Sequence, residues 1–273
     1  MKEYRLYKMT WPEIKEGVKE IDAVFIPIGS TEQHGRHLPV ECDHFTSTYF
    51  CEVAAKSLNE KGKWIVVAPT INYGCSWYHI HFPGTISLSQ KTFMAVVKDV
   101  CLSLAHHGFK NLIVFNSHGG NSAPLTTCLT DLYAEKGIRV AIAQWWTFIT
   151  EAIKELGITS PLIHAEEVET SIAMALGLKV RDEELTRDAF SRREIHETKG
   201  VATSKHIAYD GITPGSGVTI PMDYIDDISR SGVVGDATLA TKEKGVHLSQ
   251  VIISRLVDFV EDLTQMPQEE PKK

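Results

Sequence analysis

Ala23-Val24-Phe25-Ile26-Pro27-Ile28-Gly29 is a seven-residue run without a charge or a polar side chain, and Ser30-Thr31-Glu32-Gln33-His34 follows it at once. Such a run reads as a strand covered on both faces, the habit of parallel sheets with helices on either side. Three more runs have the same character: Trp64 to Pro69, Asn111 to Asn116 and Arg139 to Gln144. Between them His44 to Leu58, Ser89 to His107 and Asn121 to Lys136 carry apolar residues at three- and four-residue spacing. Gly62, Gly108 and Gly137 stand where those helices must end. Strands alternating with crossover helices predict an α/β layer fold with a largely parallel sheet.

Beyond Thr147 the pattern is helical, with Ser160-Pro161 as a start signal and Val168 to Leu176 as an amphipathic stretch ended by Gly177. Arg181 to Asp236 is rich in Gly, Pro, Asp and Ser, including Asp210-Gly211 and Thr213-Pro214-Gly215-Ser216-Gly217, and reads as short strands and loops. Thr238 to Thr264 reads as a closing helix. Residues 266–273, with Pro267 and Pro271 among charges, read as a solvated tail after a single domain over residues 1–265.

The 273 residues, 43% hydrophobic and 23% charged, can bury a sizeable core, which excludes disorder and mini-protein readings. A formal charge of -7 gives no electrostatic footprint for nucleic acid or an anionic membrane. No apolar run reaches the ~18 residues of a membrane span, and Met1-Lys2-Glu3-Tyr4-Arg5 is not a signal-peptide start, so a cytoplasmic location is expected. Five dispersed cysteines without a CxxC pair predict reduced, packed thiols.

Chemistry-bearing residues gather in three clusters. Gly29 to His44 follows the first strand, and Glu32 and His34, two apart in an extended loop, point the same way. Asn116-Ser117-His118-Gly119-Gly120-Asn121 follows the third strand and adds His118. His164-Ala165-Glu166-Glu167-Val168-Glu169 places Glu166 and Glu169 on one helix face at i,i+3 spacing. Each has a plainer reading. Gly119-Gly120-Asn121 could cradle a phosphate, yet the chain has neither GxGxxG nor a P-loop. The three glutamates suit a first helical turn, and His106-His107 suits a helix end. Cys75-Ser76 is not a GxSxG elbow, so a substrate contact is the better reading. Trp77, Trp145 and Trp146 read as core, with Trp145-Trp146 also placed to wall a pocket at a strand end.

Four motifs in order make the chain resemble the creatininase family of metal-dependent amidohydrolases, from about Trp11 to about Leu256. They are Gly29 to Gly35 with Leu38-Pro39 and Asp43, then Phe82-Pro83-Gly84-Thr85, then Asn116 to Asn121, then His164-Ala165 with Glu169-Thr170-Ser171. The resemblance implies a three-layer α/β/α sandwich with a mostly parallel central sheet, a two-metal centre and a homohexamer. It implies that Glu32 and His118 hold one metal, His34 the other, and Asp43 both. Creatinine-hydrolysing members carry an aromatic residue and then a Glu directly after this histidine. Here Gly119 and Gly120 stand there, so Glu169 is assigned the missing carboxylate. Arg36 replaces a common Pro, facing an anionic substrate or a neighbouring subunit, and Glu166 replaces a common Gly.

Three carboxylates against two divalent ions leave one positive charge, which a bridging hydroxide would neutralise. Nitrogen and oxygen donors suit two Zn²⁺ ions per chain, with Mn²⁺ or Fe²⁺ as alternatives. The leading expectation is hydrolysis of a C–N bond in a cyclic amide or formamide by metal-bound hydroxide. His164 would donate a proton to the departing nitrogen, and Ser76, His79, Trp145 and Gly119 would meet the small-molecule substrate. A second reading keeps the centre and changes the substrate to a sugar- or polyol-derived ring carbonyl. A third is a non-catalytic binding protein on the same fold.

Overall fold

The four apolar runs form one parallel sheet in a computed structural model that describes residues 2–189 and 224–266. In chain order the elements are α1 (Trp11–Gly17), β1 (Ala23–Ile28), α2 (Cys42–Glu60), β2 (Ile65–Val67), α3 (Gln90–His106), β3 (Leu112–Asn116), α4 (Ser122–Lys136) and β4 (Val140–Gln144). They continue with α5 (Thr150–Glu155), α6 (Glu167–Leu176), the two-residue strands β5 (Arg187–Asp188) and β6 (Gly235–Asp236), and α7 (Lys242–Gln265). The main sheet runs β2-β1-β3-β4, every pair parallel. β5 and β6 pair antiparallel.

Strand periodicity sorts the core into two layers. Ala23 and Phe25 of β1 and Ile113 and Phe115 of β3 join Phe50, Leu58, Leu248 and Ile252 under α2 and α7. Val24, Ile26 and Val114 point the other way and meet Phe93, Val97, Leu125 and Leu132 of α3 and α4. Helices thus cover both faces of a central parallel sheet, the α/β/α arrangement expected. β4 is only partly buried, because it lies at the edge of the sheet. All five cysteines are buried free thiols. Among the described residues no helix is long and apolar enough to cross a membrane.

Several expectations are corrected. α2 starts at Cys42, two residues early, so Asp43 lies in its first turn rather than in the preceding loop. Ser160-Pro161 starts no helix: Ser160 is buried in a loop where its Oγ accepts from Asp236 N–H, and α6 begins after Glu166. Thr238 lies in a 3-10 turn capped by Asp236, and Thr241 caps α7. Trp77 is 40% exposed, whereas Trp145 is 3% exposed and joins the core. The turn signals at 210–217 and residues 267–273 lie outside the described residues.

Candidate metal centre

The strands β1 and β3 end side by side, and the polar loops that follow them therefore meet. Asn121 ties them: its Oδ1 accepts from Cys75 N–H, and its Nδ2 donates to Gly29 O and Asn116 Oδ1. Ser47 of α2 accepts from Ile28 N–H and donates to Phe115 O, which fixes the helix one turn beyond Asp43 against both strands. α6 brings Glu169 from the other side. Its first turn is capped by Glu166, whose carboxylate accepts from Val168 N–H and Glu169 N–H.

These elements bring Glu32, His34, Asp43, His118, His164 and Glu169 together. Donor atoms of Glu32, Asp43 and His118 lie within 4.8 Å of one another, as do those of His34, Asp43 and Glu169, and those of Glu32, His34 and His164. His118 Nδ1 is 3.2 Å from Glu32 Oε1 and 3.2 Å from Asp43 Oδ2. His34 Nε2 is 3.1 Å from Asp43 Oδ1 and 3.9 Å from Glu169 Oε2. Two donors bound at about 2.1 Å to a tetrahedral ion stand about 3.4 Å apart, so these spacings match ligands around a cation.

Electrostatics point the same way. Glu32 and Asp43 are nearly inaccessible, and among the described residues their ion-pair partners are histidines, with no lysine or arginine. Glu32 Oε2 and Asp43 Oδ2 are buried without a hydrogen-bond partner. Leaving two buried carboxylate oxygens unmatched is costly, and a divalent ion at each is the ligand chemistry that would match them. Without cations the cluster draws protons instead. Burial pushes the His34 imidazole down, but Asp43, Glu169 and Glu32 outweigh it and raise its pKa to about 10. His118 is likewise driven well up against burial, chiefly by Glu32. Burial lifts the Asp43 carboxyl and the two imidazoles more than offset it, holding it below the usual carboxylate range. Burial dominates at Glu169, raised to about 7.

Each imidazole is oriented by an atom outside the cluster. His34 Nδ1 donates to Glu32 O at 3.2 Å, leaving Nε2 for the centre. His118 Nε2 donates to Cys75 O at 3.1 Å, leaving Nδ1. Locking one nitrogen to a carbonyl presents the other as a bare donor, the usual support of a metal-binding imidazole.

The remaining predicted residues are dispersed around this core. His79 is 1% exposed with Nε2 3.4 Å from Glu32 Oε1, and His164 Nδ1 is 3.8 Å from the same oxygen. Burial pushes both imidazoles well below their ordinary range. Ser76 is fully buried, with its hydroxyl bonded to Ser30 and 3.3 Å from His118 Nε2. Trp145 lines a small cavity with Cys42, Asp43, Ser117, Glu169 and Ile172, so it serves core and cavity together. Gly119 is exposed with open space over it. Gly120 is the constrained glycine: a Cβ there would stand 2.3 Å from Cys75 O and 2.6 Å from His118 Nε2. No side chain fits at Gly120, and the carboxylate beside His34 comes from Glu169 instead. Glu166 is consumed by capping, and its acid is pushed well up by burial and by Glu169. Sequence reading missed Gln33 and Tyr78. Tyr78 Oη lies 3.3 Å from His118 Nε2, and no periodicity or spacing signal relates those positions.

The sequence matches the creatininase family, described as creatinine amidohydrolase, over residues 7–260. A 3-dehydro-scyllo-inosose hydrolase of Thermotoga maritima is 29% identical over 267 residues, which cover 94% of this chain and 82% of that protein. A creatinine amidohydrolase of Pseudomonas putida is 30% identical over 187 residues, covering 62% of this chain and 70% of that one. A crystal structure of a creatinine amidohydrolase superposes with a TM-score of 0.75 at 25% identity, over 98% of this chain and all of the other.

Proposed function

Because the chain belongs to the creatininase family of metal-dependent hydrolases, we propose that it opens a small cyclic carbonyl compound at a two-cation centre, with Glu32, Asp43 and His118 around one ion and His34, Asp43 and Glu169 around the other. The observation that carries this reading is the buried carboxylate pair of Glu32 and Asp43, with Glu32 Oε2 unpartnered and Asp43 Oδ2 facing only His118 Nδ1, beside two imidazoles whose other nitrogens are held by main-chain carbonyls. Two divalent cations, zinc first and manganese or iron next for such donors, supply Lewis acidity that polarises a carbonyl and brings water ionisation near neutral pH.

The chain's own residues supply the rest. His164 donates its Nε2 hydrogen to Gln33 O at 2.8 Å, so Nδ1 is bare and faces Glu32. It is therefore placed to take a proton at Nδ1 and return it to the departing atom of the opened ring. Ser76 and His79, buried beside His118 and Glu32, are the polar contacts assigned to the substrate, and Trp145, lining the cavity next to Asp43 and Glu169, the apolar one. Gly119, exposed with open space where a side chain would stand, is the remaining substrate contact assigned.

Two bonds compete as the one cleaved. The C–N bond of a cyclic amide or formamide follows from the amidohydrolase likeness. The polyol-derived ring carbonyl is favoured by the inosose hydrolase, whose similarity runs through 94% of the chain. Zinc- or manganese-repleted protein offered both classes, with amine release and ring opening followed in parallel, separates them. His118→Ala is expected to lose the ion it holds, and with it turnover, while staying folded. Undiminished turnover in that variant would remove the proposal, and fewer than about one ion per chain after repletion would support the non-catalytic reading. A homohexamer is the assembly proposed, read by light scattering of the eluted protein.

A further inference from the structure

Gln33 lies between Glu32 and His34 and is 5% exposed. Its Oε1 accepts from Gly35 N–H at 2.8 Å, and its Nε2 donates to Gly232 O at 3.0 Å. A backbone N–H only donates and a backbone carbonyl only accepts, so these two contacts fix which end of the carboxamide is nitrogen. The seat admits nothing larger: Gly232 has φ +83, and a Cβ there would stand 2.0 Å from Gln33 Oε1.

One amide hydrogen remains, and two imidazole nitrogens are in reach, His79 Nδ1 at 2.8 Å and His164 Nε2 at 3.0 Å. His164 Nε2 lies 2.8 Å from the main-chain oxygen of Gln33, which only accepts, so that nitrogen already carries hydrogen. The free amide hydrogen must go to His79 Nδ1. His79 then bears its own hydrogen on Nε2, the atom 3.4 Å from Glu32 Oε1.

We infer that Gln33 is a positioning residue that locks His79 in the Nε2–H tautomer. With cations bound, His34 and His118 present bare nitrogens to the cluster, as His164 does, and His79 alone of the four presents a neutral hydrogen-bond donor. The tautomer follows from these contacts whatever the chain does. The use of the donor rests on the two-cation reading: it stands beside Glu32, within reach of a substrate oxygen that gains charge there, where a fixed neutral donor stabilises without adding a titrating charge.

The test is the two-bond ¹H–¹⁵N spectrum of the full chain, labelled at histidine, loaded with diamagnetic Zn²⁺ and held at mildly alkaline pH. The His79 signals are assigned by their loss in His79→Gln. The expected pattern is a bare-type Nδ1 and a protonated-type Nε2 for His79. In Gln33→Met, which keeps the bulk and removes the amide, His79 should populate both tautomers. His164 should stay unchanged, because its hydrogen is held by the main chain of residue 33. Hydrogen on Nδ1 of wild-type His79, a His79 still locked in Gln33→Met, or His79 and His164 changing together would each overturn the inference. Should Gln33→Met not fold, the wild-type spectrum decides alone. Zinc content of the same sample reads the two-cation proposal separately: a sample without zinc fails that proposal and still reports the His79 tautomer.

Discussion

Asp43 reaches both halves of the centre with different oxygens, Oδ1 toward His34 and Oδ2 toward His118. Glu169 reaches only the His34 half. The two carboxylates therefore differ in what their loss removes. Metal analysis after repletion should find about two ions per wild-type chain, about one in Glu169→Gln and close to none in Asp43→Asn. Equal loss in both variants would contradict the division of ligands. His37, outside the cluster, gives a pH prediction. Its Nε2 donates to Thr170 Oγ1 at 2.8 Å, and burial, with positive charge at His34, lowers its pKa from 6.5 to about 4. Between pH 6.5 and 4 the unfolded chain takes up a proton that the folded chain refuses. The His37 contribution is therefore whole above pH 6.5 and lost as pH falls through that window, about 3 kcal/mol at most. His37→Gln, which keeps a donor for Thr170, should flatten the fall in urea-unfolding free energy across that range; an unaltered slope would refute it. Individual ligands were legible because Glu32, His34 and His118 stand directly after apolar runs. Gln33 was not: its amide works on His79 and Gly232, 46 and 199 residues away, and only the tertiary fold relates them.

At the level of elements, the strands were readable because burial on both faces leaves an unbroken apolar run. Helix starts were less so. α2 begins after Glu41, whose side chain makes no cap, so the usual Ser, Thr, Asp or Asn signal is missing. α6 has the opposite fault: Ser160-Pro161 advertises a start, but Ser160 is occupied by Asp236 and Glu166 supplies the cap. The backbone turns into α6 through Ala165, at φ +50, fully buried, with its N–H on Glu169 Oε2 at 2.5 Å. That left-handed residue orients His164 and Glu169 together, and an alanine holds it at a cost of order 1 kcal/mol. Ala165→Gly should leave unfolding free energy within about 1 kcal/mol of wild type, because relieved strain offsets added freedom in the unfolded chain. Ala165→Val should cost about 2–4 kcal/mol, since a β-branched side chain suits neither the φ nor the packed site. A tolerated valine, measured by chemical denaturation, would show that the turn is not strained.

Across the whole molecule, the centre joins parts of the chain that the sheet and its helices already bring side by side. Glu32 and His34 come from the loop after β1, Asp43 from α2, His118 from the loop after β3, His164 from the approach to α6 and Glu169 from its first turn. The 229–236 segment is drawn in as well, through Gln33 to Gly232 and through the mutual main-chain bonds of His164 and Val234. Without cations this junction is three acids balanced against protons on His34 and His118. With them, each ion gathers ligands from distant segments and stabilises the folded chain by mass action. At free zinc a hundredfold above its dissociation constant that term is about 2.7 kcal/mol, or roughly 5–10 °C in melting temperature for a domain of this size. Chelation should therefore lower the melting temperature by that order, and zinc should restore it. In His118→Ala both effects should shrink, because the ion bridging the β1 loop, α2 and the β3 loop can no longer be held. A melting temperature indifferent to chelator and zinc in the wild-type chain would mean that these residues meet for packing alone.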